Sequence, residues 1–279
     1  MRYGILADVH GNLHALRAAV ATLRADGVER FLCAGDLVGY GPFPNECVET
    51  VAGLDALCVA GNHDLIALGR LSDERCIPLA RTSLDWTRRR LSQEAREYLE
   101  ALPARVELDG VVMAHGSLDD PQHYVRDGTD AAEQLSRLAA GWPLARVLIL
   151  GHTHVARAWG PRGQPLEARR GAVMGLATDG PTLLNPGAVG QSRERRIYAR
   201  SLALDPERQQ AIFHADEYDV SACRRALRRA GLSTEAPQLS PTRRGRAVRK
   251  LRRLAALASP QTPSRPAEGS DAPGVPRSG

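Results

Sequence analysis

Short apolar runs that each break on a glycine, an acid or a histidine constrain this 279-residue chain more than any other feature. Tyr3–Ala7 leads into Asp8, Arg30–Ala34 into Gly35-Asp36, and Leu57–Ala60 into Gly61-Asn62-His63. Val111–Ala114 leads into His115, and Val147–Leu150 into Gly151-His152. Such runs fit strands buried on both faces of an α/β sheet. Helical patterns lie between them. Leu13, Leu16, Val20 and Leu23 recur at helical spacing, with Asn12 placed as N-cap and Gly27 as stop. The β-α-β-α-β order at the start predicts right-handed parallel crossovers.

Residues 65–109 read mainly as helix, a cap segment with Leu84, Trp86, Leu91, Tyr98, Leu99 and Leu102 as its apolar positions. Beyond His154 the pattern turns to hairpin strands at Val155–Trp159, Thr182–Asn185, Ile197–Leu204 and Gln210–His214. A helix over Val220–Ala230 comes next, with Asp219 as its cap and Gly231 at its stop. One domain is therefore expected over 1–239. Residues 240–258 form a basic segment able to make an amphipathic helix. Residues 259–279, with five prolines and almost nothing apolar, are expected to be disordered.

Charge follows the same division. The net charge is +5, and of 37 basic residues only Lys250 is lysine. Residues 240–279 hold nine basic and two acidic side chains, which leaves 28 basic and 30 acidic in the first 239. A nucleic-acid reading of the net charge thus rests on the tail alone, which lacks aromatics interleaved to stack bases. No run approaches the ~18 apolar residues of a membrane span. The amino terminus lacks a charged lead, apolar run and cleavage site, so a cytoplasmic protein is expected. The five cysteines have no C-x-x-C spacing and read as reduced apolar residues.

The strand ends carry nearly every side chain able to hold a hard or borderline metal. Asp8-Val9-His10, Gly35-Asp36, Gly61-Asn62-His63-Asp64, His115-Gly116 and Gly151-His152-Thr153-His154 belong to five separate runs. In an open α/β sheet the carboxyl ends of the strands lie side by side and form the ligand crevice. Residues two apart on an extended segment share a side, so Asp8 with His10 could chelate one ion and His152 with His154 could straddle two. Mixed oxygen and nitrogen donors without thiolate favour manganese, iron, zinc or nickel. A lone histidine is more often a packed core residue, but five of eight histidines fall in these segments.

This series resembles the calcineurin-like metallophosphoesterase superfamily. Asp36–Pro42, His115-Gly116-Ser117 and Asn185–Gly190 are similar to its bacterial branch grouped with diadenosine tetraphosphatase-related phosphoesterases. The resemblance implies a four-layer α/β/β/α sandwich with a small helical cap insertion. It implies Asp8, His10 and His154 on one divalent ion, and Asn62, His115 and His152 on a second. Asp36 and a hydroxide would bridge the two, the hydroxide attacking phosphorus in line. His63 would protonate the leaving oxygen or stabilise developing charge, oriented by Asp64. Manganese is the expected metal, with iron, zinc, nickel or magnesium as alternatives.

One departure narrows the substrate. Protein Ser/Thr phosphatases and symmetric diadenosine tetraphosphatases of the family carry a phosphate-clamping arginine soon after the bridging aspartate. Tyr40 stands in its place, and a phenol lacks the guanidinium fork. The expected activity is hydrolysis of phosphomonoesters or phosphodiesters. A nucleotide-specific hydrolase, acting on dinucleoside polyphosphates or cyclic nucleotides, and a protein phosphatase are the alternatives within this class. A nucleic-acid-binding protein or nuclease working through the basic tail, and a non-catalytic scaffold, are the rivals outside it. Tyr40, Asn45 and His123 are candidate substrate contacts. Gly39-Tyr40-Gly41 is no dinucleotide fingerprint, since Pro42 intervenes and the third glycine is absent.

Overall fold

The computed structural model describes residues 1–239; the basic segment 240–258 and the tail 259–279 lie outside the described residues. The chain opens with β1 (Tyr3–Leu6), α1 (Leu13–Ala25), β2 (Arg30–Cys33), α2 (Pro44–Ala52) and β3 (Leu57–Cys58). Three helices come after them, α3 (Asn62–Ala67), α4 (Pro78–Arg88) and α5 (Gln93–Glu100). Next are β4 (Arg105–Leu108), β5 (Val111–Ala114), α6 (Gly128–Gly141) and β6 (Val147–Ile149). The remainder is β7 (Arg157–Trp159), β8 (Pro165–Leu166), β9 (Val173–Gly175), β10 (Thr182–Asn185), β11 (Ala199–Asp205), β12 (Gln210–Asp216) and α7 (Val220–Arg229).

These strands make two six-stranded sheets, ordered β3-β2-β1-β11-β12-β9 and β4-β5-β6-β10-β7-β8. β1, β2 and β3 are mutually parallel, as the crossovers require, and β11 closes antiparallel on β1. In the second sheet β5, β6 and β10 run parallel. Alternation along the strands builds the layers. Tyr3, Ile5, Leu32, Met113, Ile149, Leu184 and Phe213 fill the space between the sheets. Leu6 and Cys33 point outward onto Leu16 and Leu23 of α1 and Val48 of α2. Val112, Leu148 and Leu183 point the other way onto Leu135 and Leu138 of α6. The result is the expected α/β/β/α sandwich.

The segment 65–109 is less a cap than part of this body. Leu84 of α4 and Leu99 of α5 sit in the same buried cluster as α1 and α2. Its end is β4, which forms a hairpin with β5 through Asp109-Gly110, both with positive φ (49° and 76°). The helix caps are those the sequence predicts: the Asn12 side chain accepts from the Ala15 N–H (3.2 Å) and Asp219 from the Ala222 N–H (2.7 Å). Beyond α7, Leu232 and Ala236 pack with Tyr40 and Ala80, so the chain closes behind Tyr40. No helix of the described residues is long and apolar enough to cross a membrane.

Candidate metal centre

The loops after the parallel strands are laced to one another by their own backbone. After β1, the Asp8 N–H donates to Gly35 O (3.0 Å), His10 N–H to Asp36 O (2.9 Å) and Gly11 N–H to Leu37 O (2.9 Å). The expectation of extended ligand pairs is corrected here. Asp8, His10, Asp36, His152 and His154 all have positive φ, between 51° and 62°. The strands have ended by then, and left-handed residues at alternate positions turn the side chains inward. Gly61 makes a close approach possible, because a Cβ there would fall on the Asp36 backbone nitrogen and carboxylate.

Two donor sets result. Asp8, His10, Asp36 and His154 offer ligand atoms within 4.8 Å of one another, and Asp36, His115 and His152 do the same. Asp36 belongs to both. The Asn62 Oδ1 stands 3.1 Å from His115 Nε2, beside the second set. All of these side chains are buried.

The proton inventory shows what the donors fit. Nδ1 of His10 lies 3.0 Å from Val38 O, that of His154 2.7 Å from Gln191 O and that of His115 2.6 Å from Ala34 O. A carbonyl only accepts, so Nδ1 carries a hydrogen in each, and the neutral rings of His10 and His154 present the lone pair of Nε2. Nε2 of His10 and Nε2 of His154 face each other at 3.2 Å. Burial pushes His10 down to about 3 and His154 well below its usual range, so neither holds a second proton at neutral pH. Two lone pairs at that distance repel unless a cation lies between their directions. Asp8 Oδ2, Asp36 Oδ2 and His152 Nε2 are also buried without a hydrogen-bond partner. The donors therefore suit divalent ions better than protons.

Electrostatics around the carboxylates agree. Burial, with Asp36 adding to it, pushes Asp8 up to about 7 despite the opposing pull of His115. Burial would raise Asp36 too, but the imidazoles, His115 foremost, hold it well below the usual carboxylate range. His115 is pushed up to about 9, as Asp36 and Asp8 outweigh its burial. Its Nε2 lies 3.3 Å from Asp36 Oδ2. Asp36 and His115 thus form a buried charged pair beside Asp8, where a bound cation would replace the proton.

Another sequence expectation is corrected. Asp64 does not orient His63. Its Oδ2 accepts from the Asp36 N–H (2.8 Å) and the Gly61 N–H (2.9 Å), and its Oδ1 from the Val38 N–H (3.1 Å). It is a backbone clamp between the Asp36 and Asn62 loops, while His63 Nδ1 is sealed in without a partner against Gly39. The Asn45 amide is engaged within the fold: it donates to Arg90 O (2.9 Å) and accepts from the Ser92 N–H (2.9 Å), tying α2 to the α4–α5 turn. Tyr40 does reach the centre, its ring 4.7 Å from that of His10 and 4.8 Å from that of His63. His123 is half-buried in the His115 loop, with its N–H donating to Asp120 O (3.1 Å).

Sequence reasoning marks Tyr124, beside His123, as a residue that could line the substrate cleft, and misses Arg193. The Tyr124 ring lies 3.9 Å from the His152 ring, and Arg193 Nη1 is 3.3 Å from the Tyr124 hydroxyl. It also left the Asn185–Gly190 motif without a physical role. Asn185 Nδ2 donates to Gly151 O (2.6 Å), holding the His152 loop, and the Gly190 N–H donates to Asp8 O (2.9 Å).

Facing sheets with Asp and His donors pooled at the loops beyond their parallel strands are the architecture of a metal-dependent phosphoesterase. Residues 1–207 match the calcineurin-like phosphoesterase superfamily domain, and the chain belongs to that family. A metallophosphoesterase from Sphaerobacter thermophilus has a similar crystal structure (TM-score 0.73, 34% identity, 85% of this chain and 99% of that one). An uncharacterized protein of Methanocaldococcus jannaschii is 29% identical over 220 residues, 77% of this chain and 87% of its own length. A hypothetical protein of Pyrococcus horikoshii shares the fold at 19% identity (TM-score 0.67, 85% of this chain and 96% of that one).

Divalent ions that bind only the folded chain must stabilise it. At 100 times the dissociation constant one ion adds about 2.7 kcal/mol. For a domain of this size that raises Tm by roughly 5–10 °C. Chelator-treated protein titrated with Mn²⁺ in a thermal-shift measurement is expected to show such a rise. An unchanged Tm across the titration would contradict the cation reading of these donors.

Proposed function

We propose that residues 1–239 form a binuclear metal-dependent phosphoesterase that hydrolyses phosphomonoesters or phosphodiesters. Asp8, His10 and His154 hold one divalent ion, Asn62, His115 and His152 hold the other, and Asp36 is shared. The observation that carries this reading is Asp36, which lies in both donor sets with its Oδ2 buried and unpartnered. Mn²⁺ is the metal to try first, since the donors are nitrogen and oxygen only. Two ions in such a site polarise phosphoryl oxygens and lower the pKa of a water to near neutrality.

The chain's own groups do the rest. The Asp64 clamp fixes the Asp36 and Asn62 loops before substrate arrives. Asp36 Oδ1 accepts from the His63 N–H (2.7 Å), so the residue after Asn62 is held by the shared carboxylate itself. Burial lowers His63 to about 4, which leaves its imidazole neutral beside the metal ligands and free of any ion. Its place next to His10 and Tyr40 suits a group that meets charge developing on the leaving oxygen.

The test is His63→Ala. General acid or oxyanion groups are worth about 10²–10⁴-fold. The variant is expected to lose that much kcat on a phosphate ester with a poor leaving group, and less on p-nitrophenyl phosphate, with two ions per chain retained. Loss of metal instead would make His63 a ligand and undo this assignment.

A further inference from the structure

We infer that Arg193, in the loop between β10 and β11, is the phosphoryl-oxygen clamp of this site; the inference rests on the phosphoesterase reading above. The loop after Asp36 offers Tyr40 and no guanidinium. Tyr40 is buried, and its surroundings are His10, His63 and the apolar residues Ala80 and Leu232. A cation for the phosphoryl oxygens must come from elsewhere in the fold.

Arg193 is placed to supply it. Its Nη1 lies 3.3 Å from the Tyr124 hydroxyl and 3.5 Å from His152 O. Its guanidinium carbon stands 5.6 Å from the centre of the Tyr124 ring, and that ring stacks on His152. Arg193 is thus one side chain removed from a metal ligand. Among the described residues it forms no ion pair, whereas arginines remote from the centre, such as Arg2, Arg88 and Arg200, each hold an Asp or Glu. A half-buried guanidinium with no carboxylate beside it suits an anionic ligand.

The loop is held on both sides. Two residues earlier, Gln191 O accepts from His154 Nδ1 (2.7 Å). The Ser192 N–H donates to Pro237 O (3.0 Å), the Leu239 N–H donates to Ser192 O (3.0 Å), and Gln238 Nε2 donates to Glu194 O (3.0 Å). Glu194 in turn pairs with Arg200 of β11 (2.5 Å). A rigid support of this kind is what a preorganised binding group needs. Tyr124 fixes the guanidinium from one face, while Arg126 covers the ring at 4.4 Å.

The experiment measures inorganic phosphate binding by calorimetry to the Mn²⁺-loaded protein, together with KM and kcat for p-nitrophenyl phosphate and metal content. A lost charge-assisted hydrogen bond should weaken phosphate binding about 10–100-fold. Arg193→Ala and the longer neutral Arg193→Gln are expected to show that loss, with KM raised in step and two ions retained. Arg193→Lys should recover only part, because an ammonium lacks the bidentate fork. Wild-type phosphate affinity in the Ala and Gln variants overturns the inference, and so does loss of the ions from both, which makes Arg193 architectural. Wild-type protein that binds phosphate through Arg193 but hydrolyses no ester defeats the hydrolase reading and leaves the clamp standing.

Discussion

Asp36→Asn is expected to abolish Mn²⁺-dependent hydrolysis of aryl phosphate esters, by about 10³-fold or more. The two oxygens of Asp36 have separate duties. Oδ1 accepts from the His63 N–H at 2.7 Å, and Oδ2 stands unpartnered in both donor sets. An asparagine must turn its NH₂ toward one or the other. Toward His63 it sets donor against donor; toward the centre it sets a donor against a cation. Neither rotamer restores both functions, and the negative charge is gone in each. Steady-state turnover and metal content measured on the same sample check the prediction. Undiminished turnover would sink the shared role of Asp36 and the binuclear reading with it.

Gly61→Ala is the second large effect, and it reads out in stability. Gly61 has an ordinary extended backbone (φ −91°, ψ 170°), so alanine is not strained there by conformation. Its Cβ, however, would meet the backbone nitrogen and carboxylate of Asp36. That strand-end backbone is held by Asp64 and cannot yield as a side chain would. Overpacking against fixed atoms costs about 1–3 kcal/mol or more, which lowers Tm by roughly 2–12 °C for a domain of this size. Gly141, at the end of α6, has open space where a Cβ would stand, with nothing within 4 Å, and Gly141→Ala serves as the neutral control. Equal Tm values for the two variants in a thermal melt would contradict the close approach.

Much of this is legible in the sequence because strand ends advertise themselves. Buried parallel strands demand apolar runs, and the chain must turn at the end of each, so Asp8, Asp36, Asn62, His115 and His152 stand out by position. The caps at Asn12 and Asp219 are legible for the same local reason. Other parts leave fainter traces. The buried face of α6 includes Gln134, which accepts from the Leu118 N–H (3.0 Å) and interrupts the apolar period. β4 alternates exposed and half-buried residues and merges into the helical pattern before it, although Asp109-Gly110 is a hairpin signal. Asp64 looks like a partner for its neighbour His63, yet on a helical turn adjacent side chains diverge and its carboxylate folds back onto the backbone. Arg193 gives no signal, since nothing local ties residue 193 to residue 152. Only the pairing of β1 with β11 and the closure by residues 237–239 bring that loop over the centre.

The left-handed backbone at the ligand positions bears on which amino acids this centre can be written in. Aspartate, asparagine and histidine are the non-glycine residues that most readily take positive φ. They are also oxygen and nitrogen donors with short side chains. Glutamate and cysteine bind metals too, but they do not share that backbone tolerance. At Asp8, His10, Asp36, His152 and His154 the same short alphabet satisfies both the coordination chemistry and the turn. A substitution chosen only for metal affinity, such as Asp8→Glu, therefore meets a second selection imposed by the main chain, independent of the cation.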